Sequence, residues 1–363
     1  MRHYTSIDIL KVFAAVVTFF FHCNMHANVD FLWLTPFVSQ GAIVMDLFFM
    51  LSGFTLYLIY QNRDLSGKES ILSFFGKRML AIYPLYLLIM VAFQLIPNWH
   101  SGTLQTLVML PVELGLMQSW FSGLFSYGHN SGTWFISCLA FQYFAFPLLL
   151  RLVLGTSKRQ RLGLLTCCYV LCAVVPIMVV ILALPNAYSN QLLRLLQFFA
   201  GILLAALLLE PSRRAHGSTL WAAAAFGGCG GLVAFITALK NIEVLRGQYV
   251  TYGFVTFPLF LLLIGGCVMA ETGSNGFPGS RLWRILADHA YALFLAQFFI
   301  WMPVNTIKTR WPQFFALHGN WKTLILAAVL CIVLTALLQD GFNVPVQRAV
   351  RKRMARQNKT ERM

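Results

Sequence analysis

The sequence carries little charge for its length. Of its 363 residues only 11% are Asp, Glu, Lys or Arg, while 58% are hydrophobic and the mean hydropathy is +0.70. Soluble domains carry about 25% charged residues, and no soluble core of this size could bury so much apolar surface. The shortage of charge therefore excludes a soluble globular protein and predicts an all-α, polytopic bundle of transmembrane helices.

The sequence also lacks cysteine spacings typical of disulfides or metal sites, and it has few acidic residues. The eight cysteines lie almost entirely inside apolar runs without C-x-x-C spacing, so neither a disulfide framework nor a metal site is expected. Acidic residues number only 12 against 27 Lys and Arg, and the net charge is +15. In a soluble protein this excess would suggest nucleic acid, but in a membrane protein it reports topology, so no nucleic-acid partner is expected.

Apolar runs predict about ten crossings, each near the 20 residues that a helix needs to span about 30 Å of hydrocarbon. We place them at 7–28, 38–60, 79–97, 133–154, 162–184, 190–209, 218–239, 250–270, 286–304 and 323–340. With both termini cytoplasmic, most lysines and arginines fall in cytoplasmic loops, as the positive-inside rule requires. The apolar stretch 104–121 would destroy this sorting if it crossed, so it is assigned to the outer face as an interfacial or re-entrant helix.

The predicted domain organisation is simple. Residues 1–340 form a single transmembrane domain, and residues 341–363 form a basic cytoplasmic tail that is attracted to anionic lipid. The first apolar run has Asp8 and Lys11 near its start and no small-residue cleavage pattern behind it. A retained helix is therefore expected there rather than a cleaved signal peptide.

Ionisable residues inside the spans indicate where chemistry could occur, because burying them is costly. Eleven residues separate Lys11 from His22, which places both on one helix face about 16 Å apart. Asp46 lies in the second span at nearly the depth of His22, and we hypothesise that it hydrogen-bonds the imidazole and raises its basicity. Each residue also has a plain alternative: His22 as a packing residue, Lys11 snorkelling to headgroups, and Asp46 capping its helix.

Five motifs follow one another along the chain. They are Asp8-Ile-Leu10-Lys11 with His22 eleven positions after Lys11, Asp46-Leu-Phe48-Phe49-Met-Leu-Ser52-Gly53-Phe54, Lys77-Arg78 followed by Tyr83-Pro84, Trp134-Phe-Ile-Ser137 followed by Tyr143 and Pro147, and Arg194-Leu-Leu-Gln-Phe198-Phe-Ala-Gly201. In this order they resemble the acyltransferase-3 family of membrane acyltransferases, which includes bacterial polysaccharide O-acetyltransferases. The resemblance covers most of the chain.

The resemblance implies transfer of an acetyl or other acyl group. The donor would be cytoplasmic acetyl-CoA or another acyl-CoA, a co-substrate rather than a permanently bound cofactor. The acceptor would be a hydroxyl of an exopolysaccharide or polyprenyl-linked sugar at the outer face of the bacterial cytoplasmic (inner) membrane. The compact chain resembles xanthan-type exopolysaccharide acetyltransferases in particular.

The resemblance also assigns roles to residues of this chain. The catalytic residues would be His22 and Asp46, and His22 would either deprotonate the sugar hydroxyl as a general base or accept the acyl group itself. The donor would be bound by Lys11, Lys77 and Arg78. The acceptor or the developing oxyanion would be bound by Ser137, Arg194, Trp134 and Tyr143.

The chain departs from the family pattern at several positions. Lys11 and Ala81 stand where Arg is usual, Leu139 where an acidic residue is usual, and Gln297 where His is often found. Other functions therefore stay open at this point. One is a transporter or flippase-like exporter of polysaccharide precursors that uses the buried charges as a relay, and the other is a catalytically silent assembly partner.

Overall fold

The fold is described from a computed structural model. It covers residues 3–91, 103–121, 131–183, 188–209, 249–272, 278–316 and 321–360, with scattered residues between 224 and 238. Over these ranges the regular secondary structure is helical, and none of the described residues belongs to a strand. The all-α class predicted from the composition is confirmed.

Eleven helices of twelve residues or more build the described part of the chain. They are α1 Thr5–Ala27, α2 Val44–Tyr60, α3 Lys68–Ile89, α4 Thr103–Leu114, α5 Trp134–Leu154, α6 Lys158–Ile181, α7 Gln191–Leu208, α8 Gly253–Thr272, α9 Ser280–Arg310, α10 Trp321–Ala336 and α11 Val344–Thr360. A π-helix, Leu337–Asn343, joins α10 to α11 without a break. Short helices, Thr35–Val38 and Pro312–Ala316, lie in the connections.

Nine segments in the described ranges are long and apolar enough to cross a membrane. They comprise α1, Leu32–Tyr60, α3, α5, α6, α7, α8, α9 and Trp321–Arg353. The chain is thus a multi-pass helical membrane protein. The remaining predicted crossing, 218–239, falls where the structure describes only scattered residues.

Three helices run at least six residues beyond the spans placed from hydropathy. The third begins at Lys68 rather than at 79, the ninth covers the 31 residues Ser280–Arg310, and the last continues past 340 into α11. Hydropathy identifies only the apolar part of a helix. Backbone hydrogen bonds can continue the helix into the polar residues on either side of that part. For α3 and α9 the residues at the N-caps are Gly67 and Gly279.

Helices α2 and α7 pack backbone to backbone. A Cβ atom added at Gly53 would lie 1.9 Å from the carbonyl oxygen of Phe198, and one added at Gly201 would lie 1.9 Å from that of Met50. Such distances are impossible for any larger residue, and small residues at helix crossings in membranes allow this close approach. The contact fixes the spacing of the two helices that carry Asp46 and Arg194.

The start of α1 is tied to the end of α8. The backbone amides of Thr5 and Ser6 donate to the two carboxylate oxygens of Glu271, each over 2.8 Å, and Glu271 is buried. A carboxylate satisfies helix N-terminal donors and is stabilised by the positive end of the helix dipole. This anchor fixes the register of the helix that carries Lys11 and His22.

The stretch 104–121 forms a short helix and a turn rather than a crossing. The twelve residues of α4 rise only about 18 Å, well short of a bilayer. The hydroxyls of Tyr83 and Tyr86 on α3 donate to the carbonyls of Leu114 and Glu113 at its end. The stretch therefore packs against α3 and does not cross, while its interfacial or re-entrant position stays a prediction.

One end of the bundle holds the first residues of α1, α3, α6 and α9. The last residues of α2, α5, α7 and α8 lie at the same end. Arg78 Nη2 donates to the Tyr60 hydroxyl, and Arg161 donates to carbonyls at the ends of α5 and α7. We name this end, which carries Lys11, Arg78 and Arg284, the basic end. The opposite end carries His26 and the start of α5.

Candidate active site

The imidazole of His22 lies in the interior of α1, 7% exposed, and faces α9. Its Nδ1 is 2.8 Å from Oε1 of Gln297, a fully buried residue. An amide oxygen only accepts, so with this oxygen facing it Nδ1 carries the proton and Nε2 carries the lone pair. Nε2 has no hydrogen-bond partner among the described residues, which leaves it available as a base.

Aromatic rings enclose His22 on the side of α9. The ring centroid of Phe298 is 4.8 Å from that of His22, and the ring of His26, one turn further along α1, is 5.5 Å away. His26 is exposed and stacks with Trp301 at 5.7 Å. From His22 a row of rings therefore leads to the end of the bundle opposite the basic end.

A cavity of about 870 Å³ occupies the basic end. Its charged lining residues are the cations Lys11, Arg78, Arg284 and Arg351, and the acids Asp288 and Asp340. Neither Lys11 nor Arg284 has a hydrogen-bonded or ion-paired partner among the described residues. The cavity thus combines an excess of positive charge with cations whose donors are free to meet an anion.

The guanidinium of Arg78 is held in place beside this cavity. It lies 5.4 Å from the centre of the Tyr60 ring and 5.9 Å from that of Phe74, and it donates to the Tyr60 hydroxyl. Lys77, its neighbour in the predicted donor set, is exposed and lies outside the cavity lining. Successive helical residues point about 100° apart, so the two cations separate, and only Arg78 faces the cavity.

The predicted hydrogen bond between Asp46 and His22 is wrong. Both oxygens of Asp46 have other partners: Oδ1 pairs with Nη1 of Arg194, and Oδ2 accepts from the hydroxyl of Thr256 over 3.0 Å. An arginine in the same interior is a stronger partner for a buried carboxylate than a neutral imidazole is. Similar depth in neighbouring helices did not place the two side chains face to face.

Arg194 is fully buried and belongs to the packing of the bundle. Besides Asp46 it donates to Gln197 Oε1 and to the carbonyl oxygen of Tyr188, and it lies 5.3 Å from the ring centre of Trp134. Arg194 and Trp134, which were predicted to bind substrate, are thus brought together with Asp46 and away from the cavity. That either takes part in catalysis stays a prediction.

The other two predicted acceptor residues are separated from each other. Ser137 is fully buried, donates to the carbonyl of Leu116 over 2.6 Å and shares a network with Ser119 and Gln191. Tyr143, two turns further along α5, lines the cavity. The predicted site residues therefore lie in four places: Lys11, Arg78 and Tyr143 line the cavity, Asp46, Arg194, Trp134 and Ser137 make buried contacts, His22 faces α9, and Lys77 is exposed.

Sequence reasoning missed residues on α9 and the C-terminal helices. Arg284, Tyr291 and Phe294 line the cavity from α9, and Gln347 and Arg351 line it from α11. Aromatic residues at helical spacing (i, i+3, i+7) on one face of α9, Tyr291, Phe294 and Phe298, are the signal that could have revealed them. The segment that follows residue 340 was taken only as a tail, although part of it borders the cavity.

Comparison with known proteins gives two matches. The acyltransferase-3 family model, described as an acyltransferase domain, matches residues 4–339. A protein of Streptomyces mycarofaciens named acyltransferase MdmB is 31% identical over 167 residues, which cover 43% of this chain and 41% of that protein. The matched part thus spans about two fifths of that relative's length. No solved structure matches the chain.

Proposed function

The chain belongs to the acyltransferase-3 family, and from that premise we propose that it is a membrane-embedded O-acyltransferase. It would move an acetyl or other acyl group from a cytoplasmic acyl-CoA to a hydroxyl of an exopolysaccharide or lipid-linked sugar on the outer side. The bacterial cytoplasmic (inner) membrane is the proposed location, because donor and acceptor then lie on opposite faces. The positive-inside bias of the loops supports this orientation.

The cavity at the basic end is the proposed donor site. A CoA thioester carries phosphates, and Lys11, Arg78, Arg284 and Arg351 offer charge-assisted hydrogen bonds to them. Arg284 and Arg351 are exposed and would meet the phosphates first, while Lys11 and Tyr143 lie deeper in the bundle. The thin pantetheine arm would extend inward from them toward His22.

His22 is the proposed general base. Its Nε2 would remove the proton of the acceptor hydroxyl as the oxygen attacks the thioester carbonyl, so that a C–O bond forms and the C–S bond breaks. The imidazolium would then return the proton to the departing CoA thiolate. Gln297 keeps Nδ1 protonated and thereby presents Nε2 in the basic form that this step needs.

The acceptor would approach from the end opposite the cavity. His26 is exposed there, one turn from His22, and Trp301 packs beside it. Asn305 and Lys308 donate to the carbonyls of His26 and Ala27, so the end of α1 is held against α9. Donor and acceptor would thus reach His22 from opposite ends of the bundle.

The single observation that carries the proposal is the free Nε2 of a buried histidine between these two ends. His22→Ala should abolish transfer of labelled acetyl groups from acetyl-CoA to membrane glycans while the protein still inserts. His3→Ala is the matched control, because His3 lies outside the cavity and pairs with Asp8 near the surface. Normal transfer by His22→Ala would overturn the proposal, and substrate flux without label transfer would indicate a transporter.

A further inference from the structure

The cavity stops short of His22. On α2, α5 and α9 the lining residue farthest from the basic end is in each case a phenylalanine: Phe48, Phe135 and Phe294. From α1, Lys11 lines the cavity, and His22 lies about 16 Å further along that helix. Three rings therefore border the inner end of the cavity, on the side that faces the histidine.

The rings also connect to the histidine. The ring centroids of Phe135 and Phe294 are 4.9 Å apart, those of Phe294 and Phe298 are 5.7 Å apart, and Phe298 touches His22 at 4.8 Å. Phe294 and Phe298 are one turn apart on α9, with Gln297 between them. The same helix thus carries the ring at the end of the cavity and the partner of the histidine.

The two α9 rings differ in their freedom to move. A Cβ atom added at Gly132 would lie 2.3 Å from the Phe298 ring, so Phe298 is clamped between Gly132 and His22. Phe294 borders the open cavity on one side. Space made by shortening Phe294 would join the cavity directly, whereas space made at Phe298 would not.

We propose that the rings of Phe48, Phe135 and Phe294 limit the size of the acyl group, and that Phe294 determines this specificity. This inference rests on the proposed function. A two-carbon acyl group needs little room beside the rings, whereas each further methylene must displace one of them. In an apolar pocket one methylene changes discrimination by about 10- to 200-fold, so the protein selects acetyl over longer acyl groups.

The test measures transfer of ¹⁴C-labelled acyl groups from acetyl-, butyryl- and hexanoyl-CoA in membranes that contain the native acceptor. Wild-type protein should transfer acetyl at least about 10-fold faster than hexanoyl. Phe294→Leu and Phe294→Ala should raise the hexanoyl to acetyl ratio in that order, by about 10-fold or more for Ala. Phe260→Leu is the matched control, because Phe260 is buried in α8 outside the cavity lining and its loss should leave the ratio unchanged.

The outcomes separate the inference from its premise. If wild-type protein transfers acetyl and hexanoyl equally, or if both Phe294 variants keep the wild-type ratio, the size limit is wrong although the acyltransferase function stands. If Phe294→Ala does not insert, Phe294→Leu decides the result. If wild-type protein transfers no acyl group of any length, the proposed function fails and the inference fails with it.

Discussion

The Nδ1 atom of His22 donates to Oε1 of Gln297 over 2.8 Å, across the contact between α1 and α9. Gln297 cannot itself carry a proton at neutral pH, yet it determines which imidazole nitrogen does. Family members often have His at position 297. Gln297 keeps the hydrogen bond that orients His22 but has no titratable group. Of this hydrogen-bonded pair, His22 is therefore the titratable member.

Gln297→Leu is expected to lower kcat by roughly 10²-fold with little change in the KM for acetyl-CoA, since a general base contributes about 10²–10⁴-fold and loses much of this when misoriented. Gln297→Glu restores an acceptor for Nδ1–H and should recover most of the activity. Steady-state kinetics of both variants at equal expression provide the measurement. Equal loss in the Glu and Leu variants would show that Gln297 serves packing only.

The sequence predicted the all-α class and most of the spans, because hydropathy and helical periodicity are local properties. It failed for Asp46, whose partner is set by how α2 packs on α7 and α8 rather than on α1. Arg194 and Thr256 lie 148 and 210 residues from Asp46, and no local pattern connects them. Partner choice among buried charges is a tertiary property.

Asp46→Ala is expected to destabilise the bundle rather than merely to slow catalysis, because it leaves the Arg194 guanidinium buried without its counter-ion. Removing one member of a buried ion pair costs about 3–5 kcal/mol. Thermal unfolding in detergent, followed by size-exclusion chromatography, measures the loss.

The double variant Asp46→Leu with Arg194→Met removes both charges and should be more stable than either single variant. His22→Ala should have the smaller effect on unfolding, since it removes no counter-ion. An Asp46→Asn variant with wild-type stability and no activity would instead assign Asp46 to the chemistry.

Arg284→Gln is expected to raise the KM for acetyl-CoA by roughly 10-fold, because a hydrogen bond to a charged group contributes about 1.5–3 kcal/mol. Added salt should raise the KM of the wild-type protein and reduce the difference between its KM and that of Arg284→Gln, because salt screens the exposed charges of the site. Lys77→Gln is the matched control: it removes the same charge near the same end, but Lys77 is exposed and lies outside the cavity lining. An equal rise in both variants would mean that overall surface charge matters rather than contact in the cavity.

The close approach of α2 and α7 leaves no room for a larger residue at Gly201. In Gly201→Ala the new Cβ would meet the backbone of Met50 at 1.9 Å, and a backbone atom cannot swing away as the end of a side chain can. The helices must separate, which weakens the Asp46–Arg194 pair that bridges them, and overpacking typically costs about 1–3 kcal/mol. Unfolding should therefore occur at lower temperature, and activity should fall with the folded fraction.

Gly163→Ala is the matched control for this effect, because a Cβ at Gly163 on α6 would meet nothing within 4 Å. Alanine is the better helix former by about 1 kcal/mol, so this variant should be neutral or slightly more stable. If Gly201→Ala unfolds at the same temperature as Gly163→Ala, the bundle does not depend on the close contact between α2 and α7.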